Sequence, residues 1–205
     1  MTAAAAAPLS RDRILRCALA MADRDGLDAT SLRRVAGELG VHVTSIYHHV
    51  PTKDALLDGV VEELMASADL PLGEVSWEAW VRTFVDQVAL LAETHAGAFA
   101  VLMRRPVQGP RATATFEVGL AAFTRAGLDP REAYGCVKSV ALAVLGVCLE
   151  RAEGVSGRDD LRTDLEGLSW QDFPVLHQAT AVAEDVDLVA TLREVLVAGF
   201  AARIG

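Results

Sequence analysis

Apolar residues along this chain recur at i, i+3, i+4 and i+7 almost throughout, and no stretch alternates with period two long enough to make a strand. The pattern predicts an all-α protein. The first helix starts after Ser10, whose hydroxyl can cap free backbone N–H groups. Leu9 and Ile14 stand at staple spacing across it, and Ile14, Ala18 and Met21 share a face up to Gly26. A second helix, capped by Thr30 or Ser31, carries Leu32, Val35, Ala36 and Leu39 on one stripe and stops at Gly40. A short third helix from about His42 to His49 turns Ile46 and Val50 inward and is ended by Pro51. Thr52 then caps a fourth, with Leu57, Val60, Val61, Leu64 and Ala68 in its stripe.

Residues 69–73, with Pro71 among them, break the chain. They divide a tail and helix-turn-helix head (1–53) and a connecting helix (54–70) from a larger helical body (71–205). In the body, a fifth helix capped by Ser76 carries Trp77, Trp80, Phe84, Val88 and Leu91 and ends near Gly97. A short helix over 98–105 and another from Pro110 to about Gly127, bearing Phe116, Leu120 and Phe123, follow. Asp129, Pro130 and Glu132 supply a cap, a first-turn proline and an acid placed to reach back; they start a helix to about Glu153. That helix is apolar nearly all round from Val137 to Leu149, so it needs cover on all sides. One core supplies one cover; a second subunit is expected to supply the rest.

Gly154 to Pro174, rich in Gly, Asp and Arg, reads as a long loop or lid. A short helix near Val175 to Ala183 precedes a last one from Asp185, with Leu188, Leu192, Val195 and Gly199 on one stripe and Val189, Leu196 and Phe200 on another. The homodimer seam expected from the two apolar helices takes in Val137, Ala141, Leu145, Cys148, Leu192, Leu196 and Phe200.

A hydrophobic share of 52% in 205 residues excludes disorder. The longest apolar run, Val140 to Leu149, is ten residues, and a helical membrane crossing needs about 20. The alanine tract of Met1 to Pro8 has no positive charge before it, unlike a secretory signal, and reads as a frayed tail. Cys17, Cys136 and Cys148 are an odd number at wide spacing, fitting neither a disulfide framework nor a zinc site, so a reducing cytoplasm is the expected compartment.

The formal net charge of -9 argues against nucleic acid as a partner until its distribution is considered. Residues 1–60 hold seven Lys/Arg and seven Asp/Glu, so the whole deficit lies beyond them. Within 29–53 Glu38 is the only acid, against Arg33, Arg34 and Lys53 with His42, His48 and His49. This is a small cationic head on an acidic body.

Leu32 to Val50 meets the needs of a helix-turn-helix: Ala36 is small where two helices cross, Gly40 permits the turn, and Ile46 packs the second helix on the first. Val43, Thr44, Ser45, Tyr47, His48 and His49 cannot then all be buried. Thr44 or Ser45 can bond bases or phosphate, Val43 can meet a thymine methyl, and Arg33 can reach guanine. Lys53 adds charge at a helix start that already favours an anion. Ser31 and His42 complete the candidate DNA face. His42, His48 and His49, at spacings of six and seven, do not converge as i, i+4 ligands would, so no metal site is expected.

The segment DATSLRRVAGELGVHVTSIYHHVPTKDALLDGVVEEL resembles the DNA-binding region of the tetracycline-repressor (TetR) family, with LRRVAGELGV, IYHHV and PTKDALL in register over residues 10–65. SWEAW, HAGAFAVLMRRP and GLDPREAY resemble the C-terminal domain of the tetracycline-repressor branch. The resemblance implies a homodimeric repressor released by a small-molecule inducer, with DNA contacts at Arg33, Val43, Thr44, Ser45, Tyr47, His49 and Lys53. Tyr47, His49 and Lys53 match phosphate-contacting positions, and Arg33, Val43 and Thr44 base-contacting ones. It also implies a ligand site drawn from Met65, Trp80, Phe84, Val101, Leu102, Met103, Phe116 and Tyr134. The histidine that coordinates magnesium in tetracycline-binding members falls at Val101, and aliphatic carbon cannot ligate, which argues against a magnesium–tetracycline inducer. No cofactor is expected.

The competing classes are a helical enzyme and a scaffold that does not bind DNA. The chain has no glycine-rich phosphate loop, nucleophile elbow or spaced metal ligands, and a scaffold leaves the cationic head unexplained. The expected mechanism is a dimer reading an inverted repeat in double-stranded DNA, its two heads in successive major grooves about 34–36 Å apart. Helix four is its lever.

Overall fold

A computed structural model describes residues 8–105, 109–152, 169, 171–181 and 186–205. Among the described residues there are helices and no strands: α1 (Arg11–Asp25), α2 (Leu32–Leu39), α3 (Val43–His49), α4 (Lys53–Ser67), α5 (Trp77–Thr94), α6 (Ala96–Phe99), α7 (Val101–Arg104), α8 (Pro110–Arg125), α9 (Pro130–Ala152), α10 (Pro174–Ala181) and α11 (Leu188–Ile204). The chain divides into two compact units. The first is residues 1–69 with 94–113, and the second is residues 70–93 with 114–205.

In the first unit Ser10 caps α1, its Oγ accepting from the Arg13 N–H at 3.3 Å. α1 buries Ile14, Leu15, Ala18 and Met21 against α4, which turns Leu56, Val60, Val61 and Leu64 inward. Leu57, expected in that stripe, lies half-buried, because the ridge that faces α1 runs through every fourth residue from Leu56. Of the two candidate caps for α2, Ser31 does the work, accepting from the Arg34 N–H; Thr30 is buried and its hydroxyl donates to the Gly26 carbonyl at 3.2 Å. Gly40 closes α2 at φ +66°, a left-handed conformation that a side chain disfavours. Ile46 and Val50 are buried, as the helix-turn-helix requires.

The segment 94–105 departs most from the sequence expectation. α5 stops at Thr94, not near Gly97, and the expected single helix is split into α6 and α7. His95 leaves the helical conformation, and its Nδ1 lies 2.7 Å from the Asp23 carboxylate of α1. Gly97 then lies so close to the end of α1 that a Cβ would stand 2.4 Å from the Ala22 carbonyl oxygen and 2.6 Å from that of Asp23. This stretch, assigned to the body from sequence, folds with the head.

The second unit is built around aromatic rings. Trp80 is fully buried, donates from Nε1 to the Thr115 carbonyl at 3.0 Å, and stacks on Phe84 at 4.9 Å between centroids. Phe123 meets Trp77 at 5.7 Å and Phe200 at 5.2 Å. Asp129 caps α9, its carboxylate accepting from the Arg131 and Glu132 N–H groups at 2.9 Å. Glu132 does not reach back but pairs with Arg203 of α11 at 2.9 Å. The last helix is capped by Asp187, which accepts from Val189 and Ala190. α11 packs on α9 and is tied to α5 by Arg193–Asp86 and Arg82–Glu194, each at 2.6 Å.

By length and composition, Pro130–Glu150 reaches what a membrane crossing needs. Lys138 and Ser139 interrupt its apolar run, yet the mean hydropathy stays at 1.6, so run length alone understated it. Within the second unit Val137, Val140 and Val144 on this helix are fully buried. Most of the loop expected at 154–174, and the alanine tail, lie outside the described residues.

Candidate nucleic-acid interface

The turn at Gly40 sets α3 against α2 through Ile46, and this leaves the rest of the short helix facing out. Arg33, His42, Thr44, Tyr47, His48, His49 and Lys53 are exposed, while Ser31, Val43 and Ser45 are partly so. Tyr47 keeps 48% of its surface accessible, which leaves its ring and hydroxyl open to a partner outside the chain. His42 precedes α3 without capping it through its side chain; its Nδ1 lies 3.3 Å from the Thr44 hydroxyl.

The charges around this surface are arranged unevenly. Four carboxylates occur between Gly26 and Val60, and each is met by an arginine: Asp28 by Arg104 at 2.6 Å, Glu38 by Arg24 at 3.2 Å, Asp54 by Arg105 at 3.1 Å, and Asp58 by Arg105 at 2.8 Å. Arg34 is likewise engaged, bonding Asp25 at 2.5 Å and the Ala29 carbonyl at 3.0 Å. Arg24 beside Asp25 holds that carboxyl below the ordinary carboxylate range. Arg33 and Lys53 have no side-chain partner among the described residues. Exposed ion pairs add little stability, about 0–1 kcal/mol each, so their main effect here is to cancel negative charge. The result is a surface with exposed cations, hydroxyls and imidazoles on which each of the four carboxylates has a guanidinium partner, Arg105 serving two of them.

Sequence reasoning missed Arg104 and Arg105. They stand about fifty residues or more beyond the acids they neutralise, and helical periodicity carries no signal at that separation. The Arg-Arg pair before Pro106 was the only trace.

The residues expected to bind ligand divide between the units. Met65, Val101 and Leu102 are buried in the first, where Val101 is fully enclosed, and Met103 is half exposed. Trp80 and Phe84 lie in the aromatic core of the second, where Phe116 meets the Tyr134 ring edge-on at 6.4 Å and Lys138 stands 5.9 Å from the Phe116 centroid. Thr115, 1% exposed, keeps a hydroxyl with no hydrogen-bond partner among the described residues. A buried polar atom without a partner costs free energy that a ligand group can recover. Among the described residues no three His, Cys, Asp or Glu converge on a metal-sized site. Burial pushes the Cys17 and Cys136 thiols up, which disfavours the thiolate.

Of the residues expected at the dimer seam, Val137, Ala141 and Cys148 are buried within their own unit, and Phe200 packs on Phe123 and Trp77. Leu145, Leu192 and Leu196 are half-buried. Two residues outside that set, Leu142 and Val195, are 58% and 63% exposed on the helices that pack together as α9 and α11. An apolar run with no polar face gives no register for which side turns outward.

Residues 14–60 match the family of bacterial regulatory proteins, tetR family, and residues 61–193 match the tetracyclin repressor-like C-terminal domain. An HTH-type transcriptional regulator of Saccharopolyspora erythraea is 32% identical over 139 residues, 67% of this chain and 59% of that protein. The HTH-type transcriptional repressor DrrR1 of Streptomyces coeruleorubidus is 31% identical over 177 residues, 84% of this chain and 65% of its own. The chain thus spans less than two thirds of the length of either relative. Among solved structures, apo ActR of Streptomyces coelicolor superposes with a TM-score of 0.84 at 28% identity, covering 98% of this chain and 99% of that one. Its complex with actinorhodin gives 0.83 at 27%, covering 97% and 100%. With both halves of the chain matched and the helix-turn-helix geometry in place, this protein belongs to the TetR family of bacterial regulatory proteins.

Proposed function

We propose that this chain is a transcriptional repressor that binds an inverted-repeat operator as a homodimer and is released by a small-molecule inducer. The observation that carries the reading is the pairing of every carboxylate between Gly26 and Val60 with Arg24, Arg104 or Arg105, beside Arg33 and Lys53, which have no side-chain partner among the described residues. On that surface Arg33 reads a guanine edge, Val43 meets a thymine methyl, and Thr44 and Ser45 bond bases or phosphate. Tyr47, His49 and Lys53 hold the DNA backbone, flanked by Ser31, His42 and His48. The acidic charge of the rest of the chain repels DNA elsewhere and lowers nonspecific affinity.

Homodimerisation through α9 and α11 covers Leu142 and Val195 together with Leu145, Leu192 and Leu196, while Val137, Ala141, Cys148 and Phe200 support that face from beneath. The repressor activity named for DrrR1 and the actinorhodin complex of ActR support a regulator whose C-terminal helices accept a small molecule. In this chain Trp80, Phe84, Phe116 and Tyr134 provide aromatic contacts and the Thr115 hydroxyl a polar one. An inducer that prefers the form unable to hold operator is, by linkage, weakened by operator to the same degree. No metal or cofactor enters the scheme.

Selection of bound sequences from a random duplex pool tests the reading. It expects a palindrome with half-sites one helical turn apart, and binding that weakens steeply with salt. Recovery of unenriched sequence, or of a single asymmetric site, would reject it.

A further inference from the structure

We infer that operator binding is coupled to proton uptake by His42, His48 and His49, so that affinity falls as pH rises through the imidazole range; this rests on the DNA-binding reading above. All three rings are exposed, on α3 or immediately before it. The charged groups on the elements flanking α3 are Arg24 and Asp25 at the end of α1, Arg33, Arg34 and Glu38 of α2, and Lys53 and Asp54 at the start of α4. Every carboxylate among them is occupied by a guanidinium: Asp25 by Arg24 and Arg34, Glu38 by Arg24, Asp54 by Arg105. Arg33 and Lys53 have no side-chain partner among the described residues.

DNA adds phosphates to this surface. Imidazole ordinarily exchanges its proton between about pH 5 and 8. Neighbouring cations disfavour its charged form, and phosphates favour it. The change on binding has the same sign for all three rings, so DNA brings protons onto them and, reciprocally, protons strengthen DNA binding. His42 adds a steric consequence. Once its ring is protonated, Nδ1 donates to the Thr44 oxygen 3.3 Å away, and the Thr44 hydroxyl proton turns outward to an acceptor on the DNA.

The test uses the full-length chain and labelled random-sequence duplex DNA, with Kd read by fluorescence anisotropy between about pH 6 and pH 8 at fixed ionic strength. Net uptake of one proton corresponds to roughly tenfold in Kd per pH unit where the ring titrates, so wild-type affinity should weaken at least about tenfold across the range. The triple variant His42→Gln, His48→Gln, His49→Gln loses the contact proposed for His49 and should bind more weakly at every pH, with a Kd that varies by less than about threefold across the range. It retains His95, which faces Asp23, and His177 of α10 as internal controls. Calorimetric titration of the wild type in two buffers of different ionisation enthalpy counts the protons without any variant, and expects uptake. Binding that is flat in pH, a triple variant that keeps the wild-type slope, or zero protons taken up would overturn the coupling and leave DNA binding intact. Absence of duplex binding at every pH would overturn both.

Discussion

Replacing Gly97 by alanine sets a methyl group against main chain that has no rotamer to yield. The added Cβ would stand 2.4 Å from the Ala22 oxygen, 2.6 Å from the Asp23 oxygen and 2.9 Å from the Asp23 Cα. Ordinary carbon–oxygen contact lies beyond 3.4 Å, so α6 and the end of α1 must separate by roughly 1 Å, and overpacking of this kind costs about 1–3 kcal/mol. Alanine's helical preference over glycine offsets at most about 1 kcal/mol of that, and less in a single-turn helix. The separation also pulls His95 off Asp23. A net loss of about 1–2 kcal/mol corresponds, for a chain of this size, to a Tm lower by roughly 2–8 °C. Gly135→Ala is the matched control, because nothing lies within 4 Å of a Cβ there and α9 continues on both sides. It should gain up to about 1 kcal/mol. Urea and thermal unfolding of both, at one protein concentration so that subunit association does not intrude, decide the matter. If Gly97→Ala is as stable as wild type, or moves upward with Gly135→Ala, the close approach of α6 to α1 does not exist.

Lys53→Ala should weaken all duplexes alike and reduce the salt slope by about one, whereas Arg33→Ala should relax preference at one base pair by about 1–3 kcal/mol. Equal loss of discrimination in both would contradict the assigned roles. Leu142→Glu and Val195→Glu, at exposed positions, should leave the helical circular dichroism unchanged and give monomers in sedimentation velocity; two intact dimers would move the interface elsewhere. Trp80→Phe removes the bond to the Thr115 carbonyl and part of the indole volume. It should lower the urea unfolding free energy by about 1.5–3 kcal/mol, and a change below about 0.5 would show that the aromatic core tolerates the void.

Local chemistry made much of the fold readable in advance. Ser10, Thr52, Asp129 and Gly40 act through hydrogen bonds and backbone angles set within a few residues, and each does so here. The stripes of α1 and α5 follow from period alone, as does that of α2 except for Leu39, which is half-buried at the helix end. Where two neighbours offered the same local signal, as Thr30 and Ser31 did, burial of Thr30 decided, and burial is a tertiary fact. The exposure of the candidate DNA-facing side chains was legible in the sequence, and the pairing of charges around them was not. Nothing near Asp54 or Asp58 announces that Arg105 will span both. Likewise the uniform apolarity of α9 revealed that it needs cover but not that Val137 and Cys148 find it at home while Leu142 does not.

The pairing of Asp28, Asp54 and Asp58 with Arg104 and Arg105 bears on how hybrid regulators are assembled. A head cut after α4 and spliced to a foreign body is not a self-contained cassette, since it travels with three carboxylates that have lost their guanidinium partners. A chimera has to import the 94–105 stretch as well, or supply substitute cations from its host, before its properties can be compared with those of the parent.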